Sequence, residues 1–248
     1  MFKYFIALFK IGFYLIFVYP KVVYYDKHAD KIPYEKRYKL GMKIFNKLNY
    51  GFNCVYDVKG VENIPEGNNI VFTPNHQAVL DPLLLTVANK PICIIAKKET
   101  RKMPYVGRVA NILGAIFMDR NDMRQSLQVM KQASSYLEKG ERAMLIFLEG
   151  TRAKDENFTM GEFKPGGLKP AFVNHSAIVP VAINGYYRVL TKKWPKPGYH
   201  IQVSFLKPLY YEDYKDENTI SLAPKLKAMV EEEVLKLQAN DKGNIKKL

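Results

Sequence analysis

From residue 51 onward, short apolar runs alternate with stretches whose apolar positions recur at helical spacing. Apolar runs of this length, bounded by turn residues, are typical of strands buried on both faces. Strands that alternate with helices in this way predict an α/β fold, with a layered, mostly parallel central sheet flanked by helices. The predicted strands are NCVYDVKG, NNIVFTPN, PICIIAKK, ILGAIFMDR, RAMLIFLEG, AIVPVAING and YHIQVSFLKP, and the predicted helices lie at about 82–90, 104–113, 122–139 and 166–175, with one more near the C-terminus.

The first 25 residues predict an apolar helix with one polar stripe. At about 100° per residue, Lys3, Lys10 and Lys21 fall within roughly 20° of one another on such a helix. Only ten residues lie between Lys10 and Lys21, whereas a helix that crosses a bilayer needs about 20 apolar residues. This pattern favours a helix that lies in the membrane interface, with its lysines at the headgroups. A spanning or re-entrant helix with a snorkelling Lys10 is the alternative.

A second helix is predicted from about Pro33 to Tyr50, because proline suits the first turn of a helix. The pattern of this helix fits two interpretations equally well. The helix could pack on a protein domain, or it could contact a membrane. We therefore predict two parts, a membrane-docking two-helix segment over residues 1–50 and an α/β domain over residues 51–248. Opposite a mainly apolar face, four lysines line one stripe of the second helix: Lys36, Lys39, Lys43 and Lys47.

The charge of the chain narrows the choice of partners. Its formal net charge is +14, and residues 1–50 hold ten basic residues against three acidic ones. Such an excess suits either nucleic acid or an anionic membrane surface. Because the aromatic residues of this region are grouped with aliphatic ones and no nucleic-acid motif is seen, we predict an anionic membrane surface and no nucleic acid. Cys54 and Cys93 suggest no metal-ligand cluster and predict a reducing compartment.

The segment TPNHQAVLDPLLL, residues 73–85, places His76 and Asp81 just after a predicted strand. On one continuous helix the two side chains would point about 140° apart, so they can meet only across a strand-to-helix turn. In a structural interpretation, Asp81 caps the helix that begins at Pro82, and His76 is a buried, hydrogen-bonded histidine. In a catalytic interpretation, the carboxylate accepts the Nδ1–H of His76, which leaves Nε2 to take a proton from a hydroxyl.

Polar segments also end three other predicted strands, with the sequences KKE, MDRND and LEGTR. Five further blocks follow along the chain: AKKETRKMPYVG, GAIFMDR, FLEGTRA, FKPGG and VPVAI. Together with NHQAVLD, they resemble the motif blocks of the 1-acylglycerol-3-phosphate acyltransferases and of the wider glycerolipid acyltransferase superfamily, over roughly residues 60–185. Thr100, Leu148 and Ala153 depart from the family's usual leucine, proline and serine. Because Ala153 removes a hydroxyl near the expected phosphate site, the resemblance bears on the reaction type more than on the acceptor.

The resemblance implies a reaction. A fatty acyl group would move from a thioester, of coenzyme A or acyl carrier protein, to the sn-2 hydroxyl of 1-acylglycerol 3-phosphate, a membrane lipid, and form phosphatidic acid. His76 would be the general base and Asp81 its orienting carboxylate, and neither a cofactor nor a metal ion is implied. The expected substrate-binding residues are Lys97 near the oxyanion, Arg120, Gly150, Thr151 and Arg152 around the phosphate, and Glu149, which would orient Arg152 or its turn.

Two alternatives stay open at the level of the sequence. A sister acyltransferase would use another lysolipid, or glycerol 3-phosphate, as its acceptor, and a basic, non-enzymatic protein would only bind anionic membranes. The intact pair of His76 and Asp81 favours an enzyme over the second alternative. The expected location is the cytoplasmic face of a bacterial plasma membrane, with the protein attached to one leaflet and not spanning it.

Overall fold

Seven strands form one sheet in the part of the chain that the structure, a computed structural model, describes: residues 2–153, 159–189 and 198–242. The strands are β1 (Cys54–Lys59), β2 (Ile70–Pro74), β3 (Ile92–Lys97), β4 (Ile116–Met118), β5 (Ala143–Leu145), β6 (Ala177–Asn184) and β7 (Tyr199–Phe205). The helices are α1 (Phe2–Lys27), α2 (Tyr34–Gly51), α3 (Leu85–Ala88), α4 (Val106–Ile112), α5 (Met123–Glu138), α6 (Lys169–Val173), α7 (Tyr211–Tyr214) and α8 (Thr219–Ala239).

The order of strands across the sheet is β1-β7-β6-β2-β5-β3-β4. The five strands from β6 to β4 are parallel to one another, whereas β7 is antiparallel to β6 and β1 is parallel to β7. The predicted α/β fold with a mostly parallel sheet is therefore confirmed. Because five neighbouring strands end at the same edge of the sheet, the loops that follow them lie side by side, where sites in α/β folds gather.

Apolar residues fill one layer on each face of the sheet. Val71 on β2 belongs to the layer under α5 and α8, while the next residue, Phe72, belongs to the layer with α3 and the inner face of α2. This alternation follows from the two-residue period of a strand, and it requires apolar residues at nearly every position of a strand covered on both sides. The predicted inner face of the C-terminal helix is buried as expected, with Leu226, Val230, Val234 and Leu237 in the core.

The N-terminal helices pack against the sheet domain through α4. Val22 of α1 and Ile44 of α2 are fully buried against Ile112 of α4. The two helices also touch each other closely, because a Cβ atom on Gly51 would lie 1.9 Å from Cδ1 of Ile11. A side chain at residue 51 would thus collide with Ile11, which would have to move.

An ionic cluster also joins α1 to the domain. The carboxylate of Asp26, near the end of α1, is buried, and it lies 2.9 Å from Arg101 and 2.6 Å from Arg108. Nδ2 of Asn111 donates a third hydrogen bond to the same carboxylate at 2.8 Å. Three charge-assisted contacts on one buried acid fix the end of α1 relative to α4.

The opposite face of α1 is apolar and exposed. Phe9, Phe13, Ile16 and Phe17 are each more than half exposed, between 55% and 71%. The rings of Phe13 and Phe17 contact each other with centroids 4.4 Å apart. Within the described ranges, the structure contains no helix with the length and hydropathy expected of one that crosses a bilayer.

A second polar cluster lies beside the end of β6 and the start of β7. The carboxylate of Asp241, just after α8, forms an ion pair with Arg188, accepts a hydrogen bond from Asn184 at 3.3 Å, and lies 3.2 Å from Nδ1 of His200. His200 is buried, and this burial lowers the pKa of its imidazole. The cluster binds the segment after α8 to the same sheet edge at which β6 ends.

Candidate active site

His76 and Asp81 face each other across the loop that follows β2. β2 ends at Pro74, and Asp81 begins a 3₁₀ turn that leads into α3. Nδ1 of His76 lies 2.8 Å from Oδ2 of Asp81, whose side chain is fully buried, while 18% of the His76 side chain is exposed. Because an ionised carboxylate can only accept, Nδ1 carries the hydrogen and the free Nε2 is left for a substrate.

The contacts of Asp81 exclude its interpretation as a helix cap. Its Oδ2 accepts hydrogen bonds from the backbone N–H groups of Gln77, at 2.7 Å, and Ala78, at 2.8 Å. A capping residue would instead accept from the N–H groups that follow it in the helix. Asp81 therefore closes the loop back onto His76, and these contacts do not support the structural interpretation in which it caps the helix.

Glu149 binds the backbone of His76 from the neighbouring strand. It follows β5, is almost completely buried, and accepts the His76 N–H with Oε1 at 2.7 Å and the Gly161 N–H with Oε2 at 2.8 Å. Burial raises the pKa of its carboxyl group. The N–H of Ala153 donates to the His76 carbonyl at 3.0 Å. The turn from Glu149 to Ala153 is thus bound to His76 at both ends, with Gly150, Thr151 and Arg152 between these two contacts.

Three more residues hold the His76 loop, and the sequence did not assign them a role. The ring of Phe147 stacks on the imidazole with centroids 4.0 Å apart and planes 23° apart. Asn75, fully buried, exchanges two hydrogen bonds with the backbone of Ile183 on β6. Gln77 accepts from the N–H of Gly185 at 3.3 Å. In the sequence, only the position of Asn75 and Gln77 on either side of His76 indicated that they could hold its loop.

Gly150 allows a lysine to approach the turn. Its φ is +73°, a left-handed conformation, and a Cβ atom there would lie 3.1 Å from Nζ of Lys164. Lys164 is part of the FKPGG block that resembles the family. Nothing in the sequence indicated that it would lie beside the Glu149–Ala153 turn. Thr151 and Arg152 are exposed. The turn therefore presents backbone, hydroxyl and cationic donors together.

Lys97 and Arg120 lie farther along the same edge. Since β3 and β4 are two and three places from β2, at about 4.8 Å per strand, their ends lie roughly 10 and 14 Å away. The ammonium group of Lys97 lies 3.5 Å from Glu99, and both side chains are more than half exposed. Arg120 is exposed, and the neighbouring Asp119 pairs with Lys98 at 3.0 Å. The structure thus places both residues at the correct edge but not in contact with His76.

The described residues contain no group of three or more His, Cys, Asp or Glu side chains placed to hold a metal ion. The arrangement instead offers a histidine oriented by a carboxylate, beside a turn rich in donors for an anion. A pair of this kind can remove a proton from a hydroxyl, and donors of this kind can bind a phosphate next to it.

Comparison with known proteins agrees with this chemistry. Residues 55–184, just over half of the chain, match the sequence model of the family described as Acyltransferase. The chain belongs to the acyltransferase family. The predicted family membership is therefore confirmed, and the matched residues contain both His76 and the turn that follows β5.

Several relatives in this family carry a more specific name. A 1-acyl-sn-glycerol-3-phosphate acyltransferase of Borreliella burgdorferi is 33% identical over 51% of this chain and 50% of its own length. A probable enzyme of the same name from Mycoplasma pneumoniae is 29% identical over 75% of this chain and 73% of its own. A third, of Pseudomonas aeruginosa, is 30% identical over 69% of this chain and 65% of its own. The chain spans half the length of the first of these relatives.

A solved structure has the same fold. The crystal structure of PlsC from Thermotoga maritima, titled a 1-acyl-sn-glycerophosphate (LPA) acyltransferase, superposes with a TM-score of 0.67. The superposition covers 94% of this chain and 96% of the other, at 23% sequence identity.

Replacing Glu149 by glutamine tests its part in holding the acyltransferase site. The amide can accept at only one end, so either the His76 or the Gly161 N–H loses its partner. A buried, unpaired N–H costs about 1–3 kcal/mol of stability. Because the lost bond also lets the His76 loop move away from its working position, we expect kcat to fall roughly tenfold or more. The matched control is Glu162→Gln, because Glu162 is 83% exposed and pairs only with Lys227 at the surface. Steady-state rates and thermal unfolding are measured together, and unchanged kcat in folded Glu149→Gln protein would contradict this role.

Proposed function

We propose that the protein transfers a fatty acyl group from an acyl thioester to the sn-2 hydroxyl of 1-acylglycerol 3-phosphate and so forms phosphatidic acid. The observation that carries the proposal is the 2.8 Å contact between His76 and the buried Asp81, bound to the Glu149–Ala153 turn. The names of the relatives in the family support the choice of acceptor. Coenzyme A and acyl carrier protein both suit the donor side of this reaction.

His76 acts as general base and then as general acid. Its Nε2 takes the proton of the acceptor hydroxyl while the oxygen attacks the thioester carbonyl, and a carbon–oxygen bond forms. Asp81 stabilises the imidazolium through the Nδ1–H. When the tetrahedral intermediate collapses, the carbon–sulfur bond breaks, and the thiolate takes the proton from Nε2. The enzyme returns to its starting state without a covalent intermediate.

The negative charge of the tetrahedral oxygen needs hydrogen-bond donors. Backbone N–H groups in the loops at this sheet edge are the candidates, with the Lys97 ammonium as a further donor. Lys97 would have to leave Glu99 for this purpose. Both side chains are exposed, so that rearrangement exchanges one solvated contact for another and costs little.

The acceptor phosphate is proposed to bind at the Glu149–Ala153 turn. Arg152 can hold two phosphate oxygens at once, and the Thr151 hydroxyl and the Gly150 backbone can donate to the same group. Lys164 adds a positive charge beside Gly150. Because both ends of this turn bind the His76 backbone, a phosphate held here lies beside the base. Arg120 would reach the phosphate from the end of β4.

One assay tests the proposal. The full chain, purified in detergent, is offered 1-acylglycerol 3-phosphate, 1-acylglycerophosphocholine and glycerol 3-phosphate, each with acyl-CoA and with acyl carrier protein as donor. We expect transfer to 1-acylglycerol 3-phosphate and little to the other two. Preference for another acceptor would indicate a sister acyltransferase, and no transfer to any of them would refute the proposal.

We also propose that the protein lies on the cytoplasmic face of a membrane, with residues 1–50 as the docking segment and residues 51–248 as the catalytic domain. The exposed apolar ridge on α1, formed by Phe9, Phe13, Ile16 and Phe17, would enter one leaflet. The acceptor and product are lipids, while the thioester donor arrives from water. A protein at the interface meets both.

Charged substitutions on the α1 ridge should release the protein from membranes. The variant Phe13→Glu/Ile16→Glu/Phe17→Glu places three carboxylates where we expect lipid, and these side chains are already exposed, so folding is preserved. The control is Val173→Glu/Ile220→Glu/Leu235→Glu, whose three residues are between 61% and 73% exposed on the domain. Flotation with vesicles should show loss of binding for the first variant only. Equal binding of both variants would contradict the docking of α1.

A further inference from the structure

A cleft of about 850 Å³ lies between α2 and the connection from α3 to β3, away from His76. One wall is a face of α2 that carries Lys39, Lys43 and Lys47, and the opposite wall includes Thr86 and Lys90. The acyl-transfer reaction described above has no use for this cleft. Its walls nevertheless combine a strong charge with an apolar surface.

The charge comes from three lysines at four-residue intervals. Lys39, Lys43 and Lys47 are exposed, and successive positions rise about 6 Å along one side of α2. Among the described residues, no carboxylate lies within ion-pairing distance of these three ammonium groups. Glu35 and Glu141 also line the cleft, but with Lys90 the four lysines of the lining outnumber these two acids, so the net charge of the walls is positive. A row of unpaired lysines suits a ligand with phosphate oxygens.

The rest of the lining is partly apolar. Tyr38 and Met42, on the same face of α2, are half-buried and line the cleft between the lysines and the sheet domain. The Tyr38 hydroxyl is already bound to the Lys90 carbonyl, so the ring presents its apolar surface. A small inorganic anion would leave these groups unused. A phosphate attached to glycerol and the start of acyl chains would contact both kinds of surface.

The cleft lies next to α1, the helix that we expect to enter the membrane. Nζ of Lys47 lies 6.0 Å from the centre of the Tyr14 ring on α1. Tyr14 follows Phe13 and so points about 100° away from it, and Lys21, seven residues later, falls within about 20° of Tyr14. Tyr14, Lys21 and the lysines of α2 therefore share one flank of the hairpin. When the α1 ridge lies among acyl chains, that flank is at the level of the headgroups.

We propose that this cleft binds the phosphate headgroup of an anionic glycerophospholipid from the same leaflet; the proposal rests on the membrane docking inferred above, and not on the chemistry of His76. A lipid held there makes docking selective for anionic membranes. Because phosphatidic acid is itself such a lipid, the product of the proposed reaction would also strengthen the attachment of the enzyme.

The test compares two triple variants of the full chain. Lys39→Gln/Lys43→Gln/Lys47→Gln removes the row from the cleft, and Lys27→Gln/Lys31→Gln/Lys36→Gln removes three exposed charges of the same hairpin that do not line it. On vesicles with one third phosphatidic acid, we expect about tenfold or more loss of affinity for the first variant and roughly threefold or less for the second. On phosphatidylcholine vesicles, both should bind like the unaltered protein. Equal losses for the two variants would show a diffuse surface charge and overturn the proposal.

Soluble ligands separate the possible sources of the phosphate group. Dihexanoyl phosphatidic acid is expected to shift NMR signals of α2 residues at lower concentrations than inorganic phosphate, and dihexanoyl phosphatidylcholine to shift them least. Equal affinity for inorganic phosphate would overturn the lipid assignment. If instead the first variant keeps its affinity for vesicles and loses transfer only from acyl carrier protein, the cleft binds the carrier and the proposal is wrong.

An acyl-transfer assay in detergent tests the proposed function separately from lipid binding in the cleft. The first variant should transfer acyl groups from acyl-CoA to micellar acceptor at the rate of the unaltered protein, because none of its three residues lies at the site of His76. Loss of lipid selectivity with normal transfer supports the cleft alone. Selective binding by a protein that transfers no acyl group would support the cleft and refute the proposed reaction.

Discussion

Replacing His76 by alanine is expected to lower the rate of acyl transfer by about 10²- to 10⁴-fold, the usual contribution of a general base. The folded protein should survive the change, because the backbone N–H and carbonyl of His76 keep their contacts with Glu149 and Ala153. The loss should appear in kcat with both acyl-CoA and acyl carrier protein as donors. Measurement of single-turnover rates in detergent separates the chemical step from product release.

Asp81→Asn should also lower kcat strongly. Its amide oxygen can still accept from Gln77 and Ala78, so the loop keeps its shape, but the negative charge that stabilises the imidazolium is gone. His28→Ala is the matched control, since His28 directly follows α1 and its imidazole contacts the carbonyl and the ring of Tyr24, far along the chain from His76. Turnover close to that of the unaltered enzyme in a stably folded His76→Ala protein would refute the mechanism.

Replacing Arg152 by alanine is expected to lower kcat/KM for 1-acylglycerol 3-phosphate by about 10- to 10²-fold, since each charged hydrogen bond to phosphate contributes about 1.5–3 kcal/mol. The KM for the thioester donor should change little, because the donor makes no contact through that phosphate. Arg152→Lys should restore part of the loss, as it keeps the charge without the paired N–H groups. Initial rates are measured with one substrate varied at a time.

The control for this prediction is Arg124→Ala, which removes an exposed arginine from the start of α5. A phosphate-free acceptor, 1-acylglycerol, provides the decisive comparison. It should be a poor substrate of the unaltered enzyme and should lose nothing further in Arg152→Ala. An equal loss with both acceptors would mean that Arg152 supports the turn and does not bind the phosphate.

The elements of the fold were predictable because each is encoded by a local pattern. All seven strands and the helices between them were expected near their observed positions. Where the prediction was wrong, the predicted bounds of an element differ from the observed ones. ILGAIFMDR contains a strand of only three residues, since α4 ends at Ile112 and Gly114 adopts a φ of +79° before β4 begins. The reversed direction of β7 and β1 leaves no mark in the periodicity of their residues.

The site was predictable where its partners are close in sequence. His76 and Asp81 are five residues apart, so a turn between a strand and a helix was enough to bring them together. The bond from the His76 N–H to Glu149 joins residues 73 positions apart, and it depends on the order of β2 and β5 in the sheet. Neither that order nor the approach of Lys164 to Gly150 follows from any local pattern.

Because β7 runs against β6, the edge that carries His76 has two unlike sides. On one side lie the first residues of β7 and the Asp241 cluster. Asp241 binds Asn184 and Arg188 there and so holds the chain on either side of Gly185. On the other side β5, β3 and β4 all end in loops, and α4, between β3 and β4, is the helix on which α1 rests. We therefore expect the lipid acceptor to enter the site from the side of β4 and α4, which is nearest the bilayer. The product would leave by the same route.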